Sequence, residues 1–91
     1  MSDIYSILSK LGSKEQIKVF LQDLCTPKEI SDMNDRWKAA QLISEGLPYR
    51  DIYEKTGVST TTVTRVARSL SEGKGYKKAL ALIKTSKKEG Q

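Results

Sequence analysis

The sequence predicts an all-α fold of about six short helices, with a helix-turn-helix over residues 48–70. Three observations predict it. Apolar residues recur at spacings of three and four, helix-capping residues punctuate the chain, and no segment alternates with the period of a strand. Ninety-one residues make one small domain with a modest core, and oligomerisation is an ordinary way to enlarge such a core. The domain is expected over residues 1–84, with 85–91 as a polar, basic, flexible tail.

The elements follow in order. Ser2 is expected to cap a short helix that stops before Gly12. Ser13-Lys14-Glu15-Gln16 has capping-box spacing, in which Ser13 accepts from an orphan N–H and Gln16 reaches back. Ile17, Phe20 or Leu21, and Leu24 then carry a second helix to about Cys25. Thr26-Pro27-Lys28-Glu29 is a stronger start signal: Thr26 caps, Pro27 lacks an N–H where none is needed, and Glu29 closes the box. The third helix is the longest, with Ile30, Met33, Trp37, Ala40, Leu42 and Ile43 on its apolar stripe and Gly46 as its end. Pro48 opens a fourth helix and Gly57 closes it. Ser59 opens a fifth, with Val63, Val66, Ala67 and Leu70 at helical spacing. Gly73 and Gly75 break the chain before a last helix bearing Tyr76, Ala79, Leu80 and Ile83.

Composition narrows the function. The net charge is +5, and it is unevenly spread. Residues 1–45 hold six Lys/Arg against seven Asp/Glu, residues 46–70 four against two, and residues 71–91 six against two. The positive field therefore sits in the second half, which suits a polyanionic partner. There is no histidine and one cysteine, Cys25, so neither an intrachain disulfide nor a recognisable zinc or haem site is available. General acid–base catalysis has few candidates. Cys25 has no histidine to activate it and reads as structural; no enzyme is expected. The chain has no apolar run long enough for a membrane helix and no leader-like start, and is expected to be soluble and cytoplasmic.

The informative segment is Pro48 to Val66. A helix-turn-helix needs two short helices over a tight turn. Gly57 supplies the left-handed residue, Val58 a buried plug, and Ile52 meets Val63 and Val66 across the helices. Thr60, Thr61, Thr64 and Arg68 then face outward. A threonine offers a hydroxyl to base edges and a methyl to thymine. Tyr49 and Arg50, at the start of the first helix, can reach phosphates, and Arg50 also a guanine edge. The competing reading is an αα-corner that serves as a protein–protein interaction module, with its threonines merely solvated.

The run Leu24-Cys25-Thr26-Pro27-Lys28-Glu29, then Arg36, then Thr62-Val63-Thr64-Arg65 at the end of the helix-turn-helix, resembles the tryptophan repressor family, and its short bacterial branch most closely. The resemblance spans about residues 24–70. It implies an intertwined homodimer that places two reading heads in successive major grooves of double-stranded DNA, on a roughly palindromic operator. It also implies a transcriptional repressor and, as corepressor, tryptophan or a similar indole amino acid. The family's pocket falls on Thr26, Arg36, Thr62, Arg65 and Ser69, where two guanidinium groups can stack on an indole.

Two departures bear on that pocket. The family has a glycine directly after the second arginine, where it makes room for the ligand, and this chain has Val66. Trp37 is larger than the family's aliphatic residue and either occupies the indole position itself or belongs to the core. The arginines also have alternative roles as phosphate contacts or as ion-pair partners of Asp32 and Asp35. Tyr53 stands where many such motifs carry a small residue.

Overall fold

The computed structural model describes the backbone of residues 1–89 and the side chains of residues 1–84; the tail expected at 85–91 lies outside the described side chains. Six helices follow one another: α1 (Ile4–Lys10), α2 (Lys14–Leu24), α3 (Pro27–Ser44), α4 (Tyr49–Thr56), α5 (Thr60–Glu72) and α6 (Gly75–Glu89). No strand occurs among the described residues. The chain divides into two compact units, residues 1–33 and 34–91.

The first unit is defined by its caps. Asp3, not Ser2, caps α1: its carboxylate accepts from the Ser6 N–H at 2.8 Å. A carboxylate is the stronger acceptor for orphan amides and favours the positive helix end. The Ser2 hydroxyl donates instead to the Asp3 carbonyl at 3.3 Å. Ser13 caps α2 by accepting from the Gln16 N–H at 3.1 Å. Gln16 reaches back one residue further than box spacing implies, and its Oε1 accepts from the Gly12 N–H at 2.6 Å. At α3 the box is complete: Thr26 Oγ1 accepts from the Glu29 N–H at 3.1 Å, and Glu29 Oε1 from the Thr26 N–H at 2.8 Å. The Thr26 amide holds the Glu29 carboxyl below its ordinary value. Neither α1 nor α2 buries a residue, and Tyr5, Val19 and Leu24 stand 80%, 49% and 50% exposed.

The second unit holds the core. Ala39 and Ala40 of α3, Ile52 of α4, Val58 of the turn, and Val63 and Val66 of α5 form one buried cluster. Trp37, Leu42, Ile43, Leu47 and Tyr76 pack against it. Each fully buried aliphatic side chain contributes about 1.5–3 kcal/mol relative to exposure. The two alanines matter by their smallness, because they leave space for the larger side chains of α4 and α5. α3 ends in a Schellman motif. Gly46 takes φ 88°, its N–H donates to the Ile43 carbonyl, and the Leu47 N–H donates to the Leu42 carbonyl. Leu47 follows the motif inward and packs on the core.

Candidate nucleic-acid interface

α4, a three-residue turn and α5 make the helix-turn-helix, and α5 packs against both α4 and α6. Gly57 ends α4 at φ 77°, with its N–H donating to the Tyr53 carbonyl at 2.8 Å. Val58 is 6% exposed, and Ile52 and Val63 are fully buried. Ser59 caps α5 by accepting from the Thr62 N–H at 3.2 Å. The expected lock between Ile52, Val63 and Val66 is present, since all three belong to the buried cluster.

The turn has one support that local spacing did not reveal. The Thr56 hydroxyl donates to the Ile52 carbonyl at 2.7 Å and accepts from the Val58 N–H at 3.1 Å. It ties the last turn of α4 to the residue after the bend, which would otherwise leave an unpaired amide. A threonine directly before a helix-ending glycine was the available signal.

The candidate contact residues are on the surface. Thr60, Thr61 and Thr64 are exposed on the first turns of α5, with Arg68 one turn beyond. The Thr64 hydroxyl donates to the Thr60 carbonyl at 2.9 Å. Its proton is therefore committed to the helix, and its free lone pair and methyl are what it offers outward. Tyr49 is 42% exposed. Arg50 is exposed, and its Nε lies 3.8 Å from Glu54 Oε1, a long, solvated contact that a phosphate can displace. Tyr53 is 51% exposed, on the outside of α4 rather than between the helices.

The five residues of the expected ligand pocket are distributed as follows. Thr62, Arg65 and Ser69 lie on α5, Arg36 lies on α3, and Thr26 precedes α3. Arg36 and Arg65 are exposed, and neither forms an ion pair among the described residues. Asp32 pairs with Lys28 at 3.0 Å, so the alternative in which Arg36 takes Asp32 is not realised. The Thr62 hydroxyl accepts from Ser59 Oγ at 3.1 Å, and that of Thr26 serves its own cap. Ser69 borders an open depression of about 370 Å³, lined with Gly73, Gly75 and Tyr76; Arg36, Thr62 and Arg65 do not line it. Val66 is 2% exposed, within the core. Trp37 also packs on the core and stacks on Tyr76, with ring centroids 6.3 Å apart and planes at 13°.

Comparison with known proteins decides the family. The sequence model of the Trp repressor protein family matches residues 1–84. The chain belongs to the Trp repressor family. An uncharacterised protein of Bacillus subtilis, YerC, is 33% identical over 90 residues, covering 98% of this chain and 86% of that protein. A Trp operon repressor homolog of Xylella fastidiosa is 31% identical over 70 residues, 76% of each chain. The crystal structure of a TrpR-like protein from Eubacterium eligens matches with a TM-score of 0.84 at 34% identity, over 88% of this chain and 84% of that one. The all-α Trp-repressor fold expected from the sequence is thus established. The family is one of DNA-binding regulators rather than enzymes. No helix among the described residues is long and apolar enough to cross a membrane.

Proposed function

We propose that the chain is a homodimeric transcriptional repressor that recognises a roughly palindromic operator in duplex DNA. The observation that carries this reading is the outward row of Thr60, Thr61 and Thr64 on a helix whose opposite face, Val63 and Val66, is locked into the core. A helix so fixed can present short side chains to a major groove without reorganising. Thr61 and Thr64 read base edges. Thr60, beside the N-terminus of α5, together with Tyr49, Arg50 and Arg68, holds the flanking phosphates or bases.

The dimer is supported by the first unit. Two helices with no fully buried residue, which leave Tyr5, Val19 and Leu24 exposed, offer apolar surface that a second copy can cover. Residues 1–84 then act as one helical domain, with the basic residues 85–91 appended to it. Repression follows from occupying promoter DNA.

A tryptophan-like corepressor would be held by Thr26, Arg36, Thr62, Arg65 and Ser69. The fit is poor, because a fully packed valine occupies the position after Arg65 and both threonine hydroxyls already have cap partners. The proposed binding therefore requires no ligand.

The test is fluorescence anisotropy with genomic fragments against random duplex at about physiological salt. A specific site bound about 10³-fold or more tighter than random DNA is expected. Absence of any preference would leave the helix-turn-helix as a protein-interaction module.

A further inference from the structure

The surroundings of Val66 and Trp37 differ from what a corepressor-dependent reading head needs. The family resemblance implies a head with glycine in the place of Val66 and room beside Arg36 for the indole. Here Val66 follows Arg65 and is 2% exposed, in one cluster with Ala39, Ala40, Ile52, Val58 and Val63. Trp37, directly after Arg36, packs against the same cluster. Its indole is stacked, 6.3 Å between centroids and nearly parallel, on Tyr76 of α6. The chain's single tryptophan thus connects α3, which bears it, to α6 and to the core beneath α5. An indole and a valine together bury apolar surface of the kind a bound amino acid would bring, and they do so with no loss of a free ligand's translational entropy.

We infer that this protein supplies its own indole: Trp37, stacked on Tyr76 and packed with Val66 against the core, fixes the reading head, so that operator binding does not respond to tryptophan. The inference rests on the repressor reading for its DNA arm only. Trp37 and Tyr76 are positioning residues, since both act through α5 rather than on DNA. A ligand that adds nothing to one arrangement over another shifts no equilibrium.

The test has two arms on the full chain. Calorimetric titration with L-tryptophan to about 2 mM should give no saturable heat, and the melting temperature should stay within about 1 °C, because a ligand far below its dissociation constant adds no stability. Saturable binding overturns the inference whether or not an operator is known. In the second arm, anisotropy with the preferred duplex should give the same dissociation constant, within about two-fold, with and without 1 mM tryptophan. A ten-fold or larger tightening overturns the inference while leaving the repressor reading intact. If no duplex is preferred, that reading falls, and calorimetry alone decides the ligand.

Variants test the positioning role. Trp37→Phe keeps an aromatic stack and should retain operator affinity within about three-fold. Tyr76→Leu keeps the burial and loses the stack, and should weaken operator binding by about five-fold or more at unchanged helicity; stacked pairs contribute enough for a change of that order. Equal affinity in wild type and Tyr76→Leu would remove the stack from the account.

Discussion

Replacing Gly57 tests the bend of the helix-turn-helix by itself. Its φ is 77°, and a Cβ there would meet no atom within 4 Å. The cost of Gly57→Ala is therefore conformational and not steric. The left-handed region costs an L-residue roughly 1–2 kcal/mol, so urea denaturation should show a loss of about that size. In a domain of this length, the melting temperature should fall by about 4–8 °C per kcal/mol. Gly57→Asn should cost less, because a short polar side chain visits this region more readily. All three proteins must be compared at one protomer concentration, since the stability of the proposed dimer would depend on it. Gly73→Ala is the contrasting case: its backbone angles suit any residue, but a Cβ would stand 2.8 Å from the Ser69 carbonyl oxygen. A neutral or stabilising Gly57→Ala would refute the left-handed bend. A loss above about 4 kcal/mol would show that the residue does more than turn the chain.

Other perturbations have equally definite outcomes. Val63→Ala removes two methyl groups from a fully buried site and should cost about 2–3 kcal/mol by chemical denaturation, transfer and cavity terms together; an unchanged midpoint would displace Val63 from the core. Thr61→Ala and Thr64→Ala should leave stability level or slightly raised, because alanine is the better helix former, and each should weaken operator binding by about 5–150-fold. Unaltered affinity in both would remove them from the interface. Arg50→Gln and Arg68→Gln should each lower the slope of log K against log salt by about 0.9 if each holds a phosphate; an unchanged slope assigns them elsewhere. The cap on α3 makes stability pH-dependent. The folded carboxyl of Glu29 titrates below its ordinary value through the Thr26 amide, so the cap's contribution is complete above the ordinary glutamate range and is lost as pH falls through the lowered value. Subtracting the acid denaturation profile of Glu29→Gln from that of wild type should isolate this loss, and superimposable profiles would contradict it.

Most of the fold was legible because its boundaries are written in local chemistry. Thr26-Pro27-x-Glu29, Gly46, Gly57 and Ser59 each act within four residues of themselves, and all four sit where their spacing implied. The misreadings are also local. Asp3 displaced Ser2 because two capping residues stood side by side, and Gln16 chose Gly12 because its side chain reaches one amide further. The Thr56 bridge is easily missed because its one signal, a threonine directly before the helix-ending glycine, is a weak one. The pairing of Trp37 with Tyr76 joins distant parts of the sequence, and no periodicity within one helix can announce it. The outward face of α5 was legible because the inward one was: once Val63 and Val66 are assigned to the core, the helical repeat leaves Thr60, Thr61 and Thr64 to solvent.

Chemical footprinting of the bound operator asks most directly whether α5 reads DNA. Two protected major-groove half-sites about one helical turn apart, related by two-fold symmetry, are expected, with loss of both in the Thr61→Ala/Thr64→Ala double variant while the proposed dimer persists in sedimentation. Protection without sequence register, or a footprint unaffected by the double variant, would contradict it.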